Sequence, residues 1–457
     1  MPELPGTAPG PLARRLDAGR LCAWLPEQRW FASKTQTLAG AEIIEEVTLD
    51  DSLALAICQV QFASGAHELY QLALGPDGGE VVLDALAQPT HTRALLDAID
   101  HGRELDGAHG HFCFRHVRSA EQAPGADVVP AALGSVRPVG AEQSNSSVVF
   151  GDRIVLKLFR KLEPGINPDL EMLRFLTTHD FPNIAPLHGW YEYDGETLAA
   201  TLGVAQSFVV GATDGWELAL EEIPNAPEVL LGRLAELGTA TARLHSVLAK
   251  DSTDPAFSPE VPSNESVSLL TASMDEEIER IFAQLPDDPR IGEIIGLEQE
   301  VREVITSRPA ISSGGRYIRI HGDYHLGQTL YSDRGWTLLD FEGEPARPLA
   351  SRRAKRSPLR DVASMLRSFS YATWAVALQR GLSAPPDFEQ RARQAFLDTY
   401  LAEVDPTLLP AGETQMNSLL AIFELEKALY ELRYELNNRP DWVQIPVAGI
   451  TRIVEAT

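Results

Sequence analysis

The hydrophobic pattern divides the chain into two regimes. In the first half the apolar runs are short and bounded by turn residues, which predicts strands over Leu53 to Phe62, Leu69 to Leu74, His111 to Val117, Val148 to Phe150, Ile154 to Phe159 and Leu202 to Val210. Ser64-Gly65, Asp77-Gly78-Gly79 and Gly151-Asp152 supply the turns between them. Amphipathic stretches over Leu12 to Leu25 and Thr90 to Asp100 read as helices, and Asn167-Pro168-Asp169 reads as a helix start. Beyond about residue 230 the spacing becomes helical, over Leu230 to Ala249, over acidic stretches from Leu269 to Ser307, and over Gln415 to Asn438. Ser357 at an N-cap and Pro358 at a first helical position predict another start there.

One stretch departs from both regimes. Tyr317-Ile318-Arg319-Ile320 runs into His321-Gly322-Asp323, and Trp336-Thr337-Leu338-Leu339 runs into Asp340-Phe341-Glu342. Each reads as a short buried strand ending in a carboxylate, and the turn Ser332 to Gly335 suits a hairpin. Phosphoryl transfer needs one carboxylate to orient a hydroxyl and accept its proton, and oxygen ligands to hold Mg²⁺ against phosphates. Asp323 in a loop suits the first role; Gln328 and Asp340 suit the second. Turn-capping carboxylates and structural histidines would produce a lone H-G-D triplet equally well. The joint occurrence of H-G-D-x-H-x-x-Q and a second carboxylate after an apolar run favours the functional reading.

Upstream, the polar turn Glu142 to Ser147 precedes a strand, a turn and a second strand carrying Lys157 among apolar neighbours. A nucleotide-binding unit uses small residues, here Ser144, Asn145 and Ser146, to bring backbone amides near phosphates, with a lysine on the next strand. Glu171, inside the helix that starts at Asn167, is placed to pair with Lys157. Strand lysines also snorkel to water and helix glutamates are mostly solvated, so each has a plain alternative. Leu202 to Val210, with Gln206 and Phe208, is either a hinge against a nucleobase or a core strand.

Two other places carry candidate chemistry. On the last long helix Lys427, Tyr430, Glu431 and Tyr434 fall at i, i+3, i+4 and i+7, so an aromatic and ionic stripe suits a sugar, although a solvated Lys-Glu stripe has the same spacing. Arg352 to Arg356 is a basic cluster for a phosphate end or for surface ion pairs, and Asp361 in the following first turn is placed to brace the catalytic loop. Trp30 and Phe31 read as anchors of the first helix on a sheet, and His245 as a structural hydrogen-bonder.

Composition narrows the partners more than the fold. The 457 residues, 44% hydrophobic and 23% charged, suit an ordinary globular protein of two or three domains. A formal charge of −26 argues against nucleic acid and anionic membrane surfaces, and it requires local cations wherever a nucleotide is bound. Three cysteines without C-x-x-C spacing give neither a disulfide framework nor a zinc site. With no signal-peptide pattern at the start and no long apolar span, a cytoplasmic location is expected.

His321 to Gln328 with Asp340 to Glu342 resembles the catalytic loop and metal-binding segment of the aminoglycoside-phosphotransferase-like kinases, although Gln328 stands where that superfamily usually has Asn. The run D-F-E-G-E-P from Asp340, E-Q-S-N-S-S-V from Glu142, G-I-N-P-D from Gly165, L-P-E-Q-R-W-F-A from Leu25, and the final helix followed by Arg439-Pro440 and Trp442 are similar to actinobacterial-type maltokinases. The resemblance implies an α+β, two-lobed protein-kinase-like fold with an N-terminal α/β cap domain: cap 1–125, nucleotide-binding lobe 126–210 and mostly helical lobe 211–457. It implies ATP and Mg²⁺ as cofactors and phosphorylation of maltose at its anomeric hydroxyl to maltose 1-phosphate, feeding α-glucan synthesis. It places Asp323 as base, Gln328 and Asp340 on the metal, and Lys157, Glu171, Ser144, Asn145, Ser146, Gln206 and Phe208 at the nucleotide. The sugar would meet His325, Glu342, Lys427, Tyr430, Glu431, Tyr434 and Trp442. Glucosamine, glucose or an aminoglycoside are alternative acceptors, and a non-catalytic module beside trehalose synthase is a further alternative.

Overall fold

The computed structural model describes residues 11–456 apart from 78–79, 88, 118–134, 140–144, 197, 307–314 and 346. The boundary loop expected over Ser119 to Ala132 and the candidate Ser144 lie outside the described residues. The chain divides into two compact units, Met1–Thr177 with Ala185–Val210, and Thr178–Ile184 with Gly211–Thr457.

The first unit holds two antiparallel sheets. One orders Leu38–Thr48, Ala54–Phe62, His67–Asp77 and Lys161–Leu162, with Glu80–Val82 also paired to His67–Asp77. Ala54–Phe62 is buried almost throughout because both of its faces are covered. Leu55 and Ile57 point into a core shared with the helix Pro89–Asp100 and the second sheet. Ala54, Ala56, Cys58 and Val60 point the other way, onto Leu21, Leu25, Trp30 and Phe31. Trp30 and Phe31 thus anchor the N-terminal segment on the sheet, both tilted against Tyr70 with ring centroids 5.8 and 5.1 Å away. That segment is a helix only over Ala18–Trp24, flanked by single 3₁₀ turns, rather than one helix from Leu12.

The second sheet orders Glu104–Asp106, Gly110–His116, Leu187–Gly195, Ala199–Ser207, Ile154–Phe159, Asn145–Phe150 and Val136–Val139. Lys161–Leu162 continues the strand Ile154–Phe159 into the first sheet, and Gln71 ties the two by donating its side-chain amide to the carbonyls of Phe159 and Leu202. The strand expected to reach Val210 stops at Ser207, and Phe208 lies just beyond it.

The second unit is mostly helical. Pro227–Leu248 packs on Phe388–Glu403, and Leu359–Arg380 packs on Glu413–Asn438. The first pair approaches so closely that a Cβ at Gly238 would lie 2.3 Å from the carbonyl oxygen of Phe396. Thr329–Ser332 and Gly335–Leu338 form the expected hairpin. Tyr317 to Ile320 does not form a strand: it makes single bridges, Tyr317 to Glu260 and Ile318 to Arg356, because its neighbours are loop segments that offer no ladder. Ser357 does not cap the helix Leu359–Arg380; Pro358 occupies the cap position, and the buried Ser357 hydroxyl has no hydrogen-bond partner among the described residues.

Candidate active site

In the first unit Lys157 stands in the middle of Ile154–Phe159, opposite Ser147 on one side and Val204 on the other. The lysine is 8% exposed, so its ammonium needs a counter-charge, and Asp169 Oδ2 lies 3.1 Å from its Nζ. Asn167 sets up this pair: its Oδ1 accepts from the Asp169 amide at 2.8 Å, starting the helix Pro168–Thr178. The sequence marks Asp169 only as part of a helix start; Glu171, the residue it offers as the partner of Lys157, is buried on the same helix two residues later.

Asn145 and Ser146 begin the strand opposite Phe159 and Leu158. The Ser146 hydroxyl accepts from Arg160 Nε at 2.7 Å, and Arg160, fully buried, is also held by both Asp84 oxygens. The Ser146 hydroxyl is thus held by Arg160, on a partly exposed residue. Gln206 pairs with Val155 in the sheet. Phe208 donates its amide to Arg153 at 2.7 Å, and the Arg137 guanidinium lies 5.2 Å from its ring centroid.

In the second unit a buried carboxylate organises the central loop. Asp361 accepts from the backbone amides of His321 and Gly322 at 2.8 and 2.9 Å, and it is 3.2 Å from His245 Nε2. Burial alone would raise this carboxyl, but the His245 hydrogen bond and charge, His321 and the Gly322 amide outweigh it and hold it below the ordinary carboxylate range. Asp361 thus braces the loop, and His245, bonded also to the Tyr400 hydroxyl, braces Asp361. Gly322 turns with φ of +84°, and a Cβ there would lie 3.3 Å from the Cα of Gly343.

The turn delivers Asp323 into a partly exposed position, with Lys427 Nζ 3.7 Å from Oδ1 and His325 Nε2 3.9 Å from Oδ2. His325 Nδ1 accepts from the Gly327 amide, which caps the single turn Leu326–Gln328. Burial pushes the imidazole below its usual pKa despite Asp323. Gln328 and Asp340 come together through the hairpin: the Gln328 amide is 3.1 Å from Asp340 Oδ2, and turning it about its last bond presents its carbonyl instead. Asp340 is one of few non-glycine residues with positive φ, +61°, a conformation that persists only where its surroundings hold it. Phe341 next to it is buried against His321. Glu342 offers its backbone carbonyl to Arg352 at 3.2 Å.

The stripe on Glu413–Asn438 is split by its packing. Tyr430 lies where Asp323 and Glu344 act on its hydroxyl, Tyr434 is exposed, and the two rings stack at 6.5 Å. Glu431 turns inward instead, receiving Arg367 Nε at 2.9 Å and Nη2 at 2.7 Å in the helical core. Four residues at i, i+3, i+4 and i+7 span an arc of about 100°, wide enough for one edge to be buried while the other is wet. Glu431 is therefore a buried ion-pair partner and not an open sugar ligand. Trp442 stacks on Tyr371 at 6.3 Å and lies under Arg439.

Lys427 and Tyr430 form one wall of an open cleft beside Gly322. Its other walls are rich in arginine, with Arg347, Arg352, Arg356 and Arg360 against Glu344, Glu426 and Asp361. The sequence signalled only the Arg352 to Arg356 part.

The sequence pattern of the phosphotransferase enzyme family matches residues 135–396, a span containing Lys157, Asp169, Asp323, Gln328, Asp340 and Asp361. The chain belongs to this family. The pattern of the maltokinase N-terminal cap domain matches residues 24–100. Two curated relatives are glucosamine kinases: that of Streptacidiphilus jiangxiensis is 25% identical over 371 residues, covering 77% of this chain and 82% of the relative. That of Mycolicibacterium smegmatis is 24% identical over 331 residues, covering 70% and 79%. A solved glucosamine kinase superposes with a TM-score of 0.73 at 21% identity, over 97% of this chain and 99% of the other. A second, in complex with glucosamine, ADP and inorganic phosphate, gives 0.69 at 21% identity over 96% and 99%. The fold is thus a mixed helix-and-sheet, kinase-like fold with an N-terminal cap domain, and the protein is a nucleotide-using, sugar-kinase-like phosphotransferase. No described helix is long and apolar enough to cross a membrane.

Proposed function

We propose that this enzyme transfers the γ-phosphoryl group of ATP, with Mg²⁺, to the anomeric hydroxyl of maltose, releasing ADP and maltose 1-phosphate. Asp323 orients the hydroxyl and takes its proton as the new P–O bond forms. Lys157, paired with Asp169, binds phosphate oxygens, while Asn145, Gln206 and Phe208 lie on the nucleotide-binding sheet or just beyond its strand end. Asp340 and Gln328 supply oxygen ligands of the kind Mg²⁺ requires, and the metal when bound neutralises charge on the transferring phosphates. Tyr430, Tyr434 and Lys427 offer stacking and a hydrogen-bond donor to a two-ring sugar. The product is an activated α-glucan precursor, which fits a cytoplasmic role in glycogen synthesis and an association with trehalose synthase.

The observation that carries the maltose reading is the charge balance of the cleft. Five cationic side chains face three carboxylates there. Glu344 is held by Arg347, Glu426 by Arg360, and Asp361 by the loop amides. An acceptor with an ammonium group meets repulsion in such a cleft; a neutral sugar does not. The cap-domain match points the same way. Glucosamine is the second reading because the two curated relatives described above are glucosamine kinases. Initial rates with maltose, glucose and glucosamine at pH 7 test the choice. Maltose should have the highest kcat/KM by about tenfold or more, worth about 1.4 kcal/mol of transition-state binding. Preferred turnover of glucosamine overturns the maltose assignment.

A further inference from the structure

The arginine wall of the cleft has more cation than the acceptor reading requires. Arg347 is occupied by Glu344, and Arg360 by Glu426 at 2.8 Å and by the Phe423 ring. Arg356, half-buried between them, has no carboxylate within ion-pairing distance among the described residues; its backbone alone is fixed, through both hydrogen bonds with Ile318. Burial, then the charges of Arg360 and Arg347, hold its guanidinium below its usual pKa. A half-buried guanidinium flanked by two other cations and lacking its own carboxylate is costly unless an anion enters, and the planar fork of arginine fits phosphate oxygens in pairs. The same cleft reaches Gly322 and Lys427, which flank Asp323, so an anion in it lies on the acceptor side of the catalytic carboxylate.

We infer that this cleft is a binding site for the phosphate monoester of a sugar, centred on Arg356 and competitive with the acceptor sugar. The inference rests on the acceptor site proposed above but not on which sugar is phosphorylated. A sugar phosphate bound there presents its phosphate to the arginines and its ring to Tyr430, so accumulating product slows the enzyme by excluding fresh acceptor. An enzyme that supplies phosphorylated sugar to a polymer-building step is thereby throttled when that step stalls.

Isothermal titration of the nucleotide-free, full-length enzyme with glucose 1-phosphate, inorganic phosphate and glucose tests this apart from turnover. Glucose 1-phosphate should bind at least about tenfold more tightly than either phosphate or glucose. Arg356→Gln should weaken it by about tenfold or more, the loss of a charge-assisted pair, whereas Arg356→Lys, which keeps the charge, should lose less. Unchanged thermal midpoints confirm that both variants fold. Unaltered glucose 1-phosphate affinity in Arg356→Gln, or free phosphate binding as tightly as the ester, overturns the inference. If glucose 1-phosphate binds as expected while maltose is not phosphorylated, the anion site stands and the maltose assignment fails.

Discussion

Replacing Glu431 by alanine discriminates a structural role from a sugar-binding one. Its carboxylate receives two hydrogen bonds from Arg367, at 2.9 and 2.7 Å, and the arginine is 1% exposed. Removing one member of a buried pair strands the other charge, which costs about 3–5 kcal/mol. Glu424, whose charge also reaches Arg367, is already shared between Arg393 at 2.7 Å and Arg452 at 3.1 Å. The guanidinium also packs closely against Gly449, at a place where a Cβ would not fit. At about 2–4 °C per kcal/mol for a unit of this size, the thermal midpoint of Glu431→Ala should fall by about 10 °C. Sugar affinity, measured by titration well below that midpoint, should change by less than about threefold. The double replacement Arg367→Met with Glu431→Leu should recover most of the loss, since two apolar side chains leave no charge unpaired. A Glu431→Ala variant that melts with wild type yet binds maltose about tenfold more weakly would refute the reasoning and return Glu431 to the sugar site.

Other substitutions probe the remaining parts of the site. Asp323→Asn, isosteric and partly exposed, should leave the thermal midpoint in place while kcat falls by about 10²–10⁴; near-normal turnover removes Asp323 as the base. Asp169→Ala leaves Lys157 buried without its 3.1 Å partner, so nucleotide affinity measured by titration should fall by about tenfold or more, and an unchanged affinity refutes the pair's role. Asp361 has a folded pKa below its ordinary value, so its stabilising contribution is complete above the unfolded carboxylate pKa of about 3.9 and is lost as pH falls through the folded one. The stability gap between wild type and Asp361→Asn should therefore be constant from about pH 6 to 8 and shrink below about pH 4, as read from thermal midpoints; a gap independent of pH in the acid range contradicts an ionised Asp361.

The parts of the site that the sequence made legible are those joined by short chain. Gln328 and Asp340 meet because one hairpin, visible as two apolar runs around Ser332 to Gly335, folds the second carboxylate back to the first loop. The N-terminal half read as strands because turn residues punctuate it, and Ala54–Phe62 read as continuous rather than alternating because both its faces are buried. Asp361 was placed for bracing by its position in a first helical turn, and its amide partners His321 and Gly322 are those of the loop it was expected to support.

What escaped the sequence depends on which neighbour a helix face meets. The docking of Pro168–Thr178 on the sheet brought Asp169 to Lys157, a contact that helical spacing alone does not specify. Arg367 and Glu431 are 64 residues apart and became partners because two long helices pack side by side. The arginines of the cleft come from the segment before Leu359–Arg380 and from its first turn, and face Lys427 and Tyr430 from another helix. Local periodicity determines the faces of each element, since it follows from backbone geometry alone; which charges share a buried space is decided when those faces are packed, because only then is each one removed from water and made to find a partner.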